Sequence, residues 1–219
     1  MTALPVPAAH YPTHAERVAD RWVHVIGLVA AAAGAPLLVG LALAQGGLGR
    51  ASSTLIYALC LLAMLTASAA YNLAKRPALQ LRLRRLDHAA IFLMIAGSYT
   101  PFTTQRFEGA WAISMTIAVW AIALIAAAGK LFLPGVSKRI WLVVYLLLGW
   151  MVIGAIEPLM AGVRPVSLIL LATGGAIYSL GVIAYAAQRL PFRRAVWHGA
   201  VLAAASAHYA AILTGVVFA

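Results

Sequence analysis

The chain has 219 residues, of which 64% are hydrophobic and only 10% charged, a composition that excludes a water-soluble domain of this size and identifies a membrane protein. Its 16 lysines and arginines against 5 acids give a net charge of +11, but the bases lie between apolar runs rather than along one face or tail, which excludes a nucleic-acid-binding surface. The single cysteine, Cys60, falls inside an apolar run; an intramolecular disulfide is excluded and an inert buried thiol is expected.

A membrane-crossing helix needs about 20 mainly apolar residues. The runs between charges predict seven of them, near 22–44, 52–74, 87–105, 110–133, 140–160, 166–187 and 195–218. The segment before the first run is polar and proline-dotted, and the run itself is too long for a removed signal and lacks its small-residue cleavage site. Residues 1–21 are therefore expected to form a short cytoplasmic segment, and 22–219 a single membrane domain. The first span carries His24 in its first turn, with Gly27, Ala31 and Ala35 at a spacing that lets helices approach closely. The second ends on Ser68, Tyr71 and Asn72. The third opens on Asp87 and His88. Trp120, in the fourth, reads as packing, whereas Trp22, Trp111, Trp141, Trp150 and Trp197 lie near span ends and read as interfacial anchors. The sixth repeats the small-residue pattern at Gly174 and Gly175. The seventh opens on Arg194 and His198, and its deeper His208 is expected to be a satisfied core histidine.

Lysine and arginine counts orient the chain, because positive loops stay in the cytoplasm. Arg17 and Arg21 precede the first span. Lys75, Arg76, Arg82, Arg84 and Arg85 join the second to the third; Lys130, Lys138 and Arg139 join the fourth to the fifth; Arg189, Arg193 and Arg194 join the sixth to the seventh. The other connections hold only Arg50, Arg106 and Arg164. Thirteen bases against three are expected to put the N-terminus on the cytoplasmic side and the C-terminus outside.

With that orientation the polar residues of distant spans fall at one level, on the inner side. Ser68 and Asn72 are four residues apart, as are Arg194 and His198, so each pair shares a helix face. Ionisable groups in spans face the bundle interior and are functional candidates by default. Asp87, at the predicted start of the third span, could equally be an N-terminal helix cap, and His88 beside it reads as a boundary residue.

These residues carry a resemblance. ERVADRWVHVIGL at 16–28, SAAYN at 68–72, RRLDHAAIFLMIAGSYTPF at 84–102 and WHGAVLAAASAHYAA at 197–211 resemble the hemolysin III family, bacterial members of the progestin and adipoQ receptor (PAQR) group. The resemblance implies an all-α polytopic bundle of seven transmembrane helices and a metal-dependent, hydrolase-like site near the cytoplasmic face, with Ser68, Asp87 and His198 as its catalytic residues. In the family pattern three histidines bind zinc, and only His198 is retained. Asn72 stands at the second-span histidine position and Arg194 at the first histidine position of the seventh. A neutral amide is a poor zinc donor and a guanidinium has no lone pair to offer. No cofactor is therefore expected, zinc is disfavoured, and Arg194 is expected to pair with Asp87. The polar cluster of His24, Tyr71, Asn72, His88 and Arg194 suits a regulatory protein that responds to lipid or membrane state; hydrolysis of a lipid amide or ester, or a cytolytic pore, are the alternatives. Membrane lipids are the expected partners.

Overall fold

The computed structural model describes residues 11–133 and 135–219, with the side chain of Lys138 outside that description, as are residues 1–10 of the expected N-terminal segment. Among the described residues all regular structure is helical. Among the described residues, five helical stretches are long and apolar enough to cross a bilayer: His14–Leu73, Gly109–Phe132, Arg139–Gly162, Pro165–Ala186 and Arg193–Val217. Large apolar side chains such as Ile26, Val29, Ile117, Ile125 and Leu147 point outward, as lipid-facing positions must.

Helix α1 (His14–Leu73) starts where it does because Thr13 Oγ1 accepts the Glu16 amide at 3.2 Å, satisfying one of the free N–H groups of the first turn. Residues 14–21 are thus helical rather than part of an irregular tail. A straight helix of 60 residues would run about 90 Å, some three bilayer cores. Instead the chain turns at Gly47, whose φ of 68° and ψ of −160° lie in a region that side chains with a Cβ avoid. The two limbs fold back on each other, bringing Gly27 against Leu65 and His24 against Ser68. Along the first limb Asp20, His24, Gly27, Ala31, Ala35, Leu38 and Ala42 are buried, every third or fourth residue, so the polar pair extends the packing stripe of small and aliphatic side chains.

Helix α2 (Pro77–Gln105) begins with proline at its first position, where the missing N–H costs nothing. This corrects the reading of Asp87 as a helix opener or cap: it lies ten residues inside α2, on a buried face with Ala90, Met94, Gly97 and Pro101. The run LQLRLRRL consists of good helix formers, so the helix extends beyond the apolar stretch. Gly97 lets α2 approach the second limb of α1 closely; a Cβ there would fall 2.7 Å from Cys60 Cβ.

Helix α3 (Gly109–Phe132) follows, then α4 (Lys138–Gly149), a 3-10 segment (Met151–Ala155) and α5 (Ile156–Gly162) in place of one uninterrupted span at 140–160. The cause is tertiary as well as local. The Tyr99 hydroxyl of α2 donates to the Leu148 and Gly149 carbonyls at 3.1 and 2.8 Å and accepts the Val152 amide at 3.0 Å, so it sits within the helical ladder. Pro158 supplies no N–H for the carbonyl four residues before it. Helices α6 (Pro165–Ala186) and α7 (Arg193–Ile212) complete the fold, with a π-helical turn at Leu213–Val217. Arg50 and Arg106 bind that end, donating to the carbonyls of Val217 and Ala219 and of Gly215 and Val216 respectively.

Candidate functional site

Fold-back of α1 puts its two ends next to each other and next to α7. From the first limb come Asp20 and His24, from the second Ser68 and Asn72, from α2 Asp87 and His88, and from α7 Arg194 and His198. Ser68, Asn72, Asp87, Arg194 and His198, together with His24, Tyr71 and His88, all line one cavity inside the bundle. The rest of its wall is largely apolar, including Met64, Ile91, Met94, Leu146, Val182 and Leu202.

The hydrogen bonds assign protons. His24 Nδ1 lies 2.7 Å from the Asp20 carbonyl, which can only accept; Nδ1 therefore carries the hydrogen, and the lone pair is on Nε2, 3.4 Å from Ser68 Oγ. His198 Nδ1 lies 2.6 Å from Asp20 Oδ1, and its Nε2 faces Asn72 Nδ2 at 3.4 Å. Asn72 Nδ2 also donates to the Ser68 carbonyl at 3.0 Å, while Asn72 Oδ1 accepts from Arg194 at 3.3 Å. Arg194 thus hydrogen-bonds Asn72 on α1, and it also lies near enough to Asp87 on α2, the partner expected from the sequence, for the two charges to interact. Its guanidinium also lies 5.6 Å from the centre of the Tyr11 ring. His88 stands 4.0 Å from Asp87 Oδ2, and its backbone carbonyl accepts the Tyr145 hydroxyl at 2.8 Å.

Two residues of this network are absent from the sequence-derived set. Asp20 is fully buried, with Oδ1 on His198 and Oδ2 accepting from the Tyr11 hydroxyl at 2.5 Å. Tyr11, ahead of α1, also reaches the Asn72 carbonyl at 3.4 Å. Burial first, and then the hydrogen bond to Asp20, push the Tyr11 phenol well above its ordinary pKa and keep it a donor. Asp20 was detectable: it precedes His24 by four residues, the spacing that picked out Ser68 with Asn72 and Arg194 with His198. His208 departs from expectation in another way, since its buried Nε2 has no hydrogen-bond partner among the described residues.

The donor chemistry can be tested against zinc. At the positions that the resemblance implies, Asn72 presents its amide nitrogen to His198 and its oxygen to a guanidinium, so that set does not fit an ion. A different set does. Asp20, His24 and His198 each offer a ligand atom within 4.8 Å of the others, and this trio could hold a metal ion.

Residues 13–209 match the family described as Haemolysin-III related. A hemolysin-3 homolog of Bacillus subtilis is 31% identical over 202 residues, covering 90% of this chain and 93% of that one. Hemolysin-3 of Bacillus cereus is 28% identical over 201 residues, 90% of each chain. The human monocyte to macrophage differentiation factor is 29% identical over 220 residues, 95% of this chain and 87% of its own. No solved structure matches. A multi-pass helical membrane protein with these relatives, matched along nearly its whole length, belongs to the haemolysin-III-related family.

Proposed function

We propose that this protein crosses the bacterial cytoplasmic membrane seven times with its N-terminus inside, takes a membrane lipid into the cavity, and transmits the lipid's presence through helix packing. The observation that carries this reading is the cavity's amphipathic wall: a cluster of hydrogen-bonding and charged groups, from Ser68 and Asn72 to Arg194, and a largely apolar remainder that includes Met94, Leu146, Val182 and Leu202, with Ser98, Ser179 and His208 set among them. A polar headgroup and an acyl chain fit that division without leaving either part of the wall unmatched. Both limbs of α1, the apolar part of α2, the pair α4 and α5, and the helices α3, α6 and α7 make up the seven crossings, and the thirteen-to-three distribution of bases orients them.

The test is native mass spectrometry of protein extracted in mild detergent. A lipid adduct should be present in the parent and lost from Leu202→Trp, which fills the apolar part, but kept by Leu55→Trp on the outer surface. Equal retention by both variants would remove the cavity as the binding site. Lipid hydrolysis is a second reading, favoured by one contact: Ser68 Oγ lies 3.4 Å from the His24 nitrogen that bears the lone pair, while the other nitrogen is held by the Asp20 carbonyl. Release of free fatty acid that Ser68→Ala abolishes would make it the better description; intact lipid after long incubation would dismiss it.

A further inference from the structure

We infer that this chain binds a zinc-class divalent cation through Asp20, His24 and His198, joining the start of α1 to the start of α7, at donors distinct from those its family resemblance implies. Three observations lead there. First, two of the three family-derived positions have lost their donors, as Asn72 and Arg194 demonstrate, yet the retained His198 has come together with Asp20 and His24 of α1, which the resemblance does not count as ligands, so that one ligand atom of each lies within 4.8 Å of the others. The two rings are only 4.5 Å apart between centroids and nearly perpendicular, an arrangement in which neither stacks on the other.

Second, His24 and Asp20 are already held as metal ligands are, while His198 would give up its Nδ1 hydrogen to coordinate. His24 gives its Nδ1–H to a backbone carbonyl, which fixes the tautomer and leaves Nε2 to coordinate. Tyr11 holds one carboxylate oxygen of Asp20 and leaves the other toward His198. The Asp20–His198 hydrogen bond, at 2.6 Å, is the contact an ion would replace, displacing the proton that joins the two atoms.

Third, the charge at Asp20 favours a cation. Asp20 is fully buried, and its carboxylate lies within ion-pair distance of His24 and His198. With both imidazoles neutral, an ion between them would offset a carboxylate charge that is expensive in the bundle interior. Two nitrogens, one carboxylate oxygen and no thiolate suit zinc or cobalt and disfavour magnesium and calcium, which take oxygen sets. Three protein donors also match the open type of zinc site, and both histidines face the lipid cavity.

The measurement is made on full-length protein in detergent without added lipid, so that it stands apart from lipid binding. After mild chelation the protein is titrated with Co2+, read by visible absorption, and with Zn2+, read by elemental analysis. About one ion per chain is expected, with X-ray absorption on the parent protein counting two imidazoles. His24→Ala and Asp20→Asn should each weaken zinc on the order of a hundredfold or more, and His14→Ala, at the exposed start of α1, should leave it nearly unchanged. Because Asp20→Asn also removes a buried carboxylate, its melting curve is recorded alongside, and the conservative Asp20→Glu should recover part of the affinity. Failure of the parent to take up either metal overturns the inference whatever the variants do. So does uptake that depends on Asn72 and not on His24.

Discussion

At the scale of single residues, the site is organised by one carboxylate. Asp20 holds His198 with one oxygen and Tyr11 with the other, while its backbone carbonyl holds His24. Removing the Tyr11 hydroxyl should therefore reach the metal donors without altering them. Tyr11→Phe is expected to weaken zinc about 10–100-fold, the usual effect of losing a partner that orients a ligand, and to lower the melting temperature of the metal-free protein, because the buried Asp20 carboxylate loses a donor even though the ring remains beneath Arg194. Equilibrium zinc competition with a chromophoric chelator reads the affinity, and unaltered binding would mean that Asp20 needs no such support. The sequence conveyed part of this site. His24, Ser68, Asn72, Asp87, Arg194 and His198 were selected by depth and four-residue spacing, and all line the cavity. Asp20 escaped because a hydropathy window begins where charges end, whereas the helix begins where Thr13 and Glu16 satisfy the first turn. Nothing in the sequence indicated that Tyr11 reaches across 61 residues to the Asn72 carbonyl.

At the scale of elements, departures from the sequence pattern have separate causes. Hydropathy could locate the apolar part of α2 but not its start, since LQLRLRRL is polar yet strongly helix-forming. It could place a turn near Gly46 and Gly47, but not foresee that a single residue with positive φ would carry the reversal inside an otherwise helical run. The break between α4 and α5 is the case with a measurable tertiary component. Gly149, Gly154 and Pro158 are local weaknesses visible in the sequence, but Tyr99 belongs to another helix. Tyr99→Phe should cost about 1–2 kcal/mol, because the Val152 amide loses its acceptor in a region without water to replace it. It should also speed hydrogen exchange at residue 152 more than elsewhere in α4. Unchanged exchange there would assign the break to the glycines and proline alone.

For the whole molecule, the structure turns a count of loop charges into a spatial arrangement. Arg50 and Arg106 meet at the C-terminal turn, with Arg164 near enough for its charge to act on Arg106. These are the three bases that the orientation argument placed on the outer side. Bases from the opposite set also approach each other: Arg85 donates to the Leu131 carbonyl, and Lys130 lies over Trp141 at the start of α4. If bases partition between the two ends of the bundle in this way, membrane orientation follows from the stronger positive end. Single cysteines introduced into a Cys60→Ala background separate the two possible orientations. With a membrane-impermeant maleimide on intact cells, Arg164→Cys should label, while Arg82→Cys and Arg139→Cys should label only after permeabilisation. The reverse pattern would put the polar cluster of the cavity, and Asp20 with it, on the outer face. Lipid would then enter from the other leaflet and the ion would come from outside the cell, so the labelling pattern decides which leaflet's lipids and which side's metal supply the site can reach.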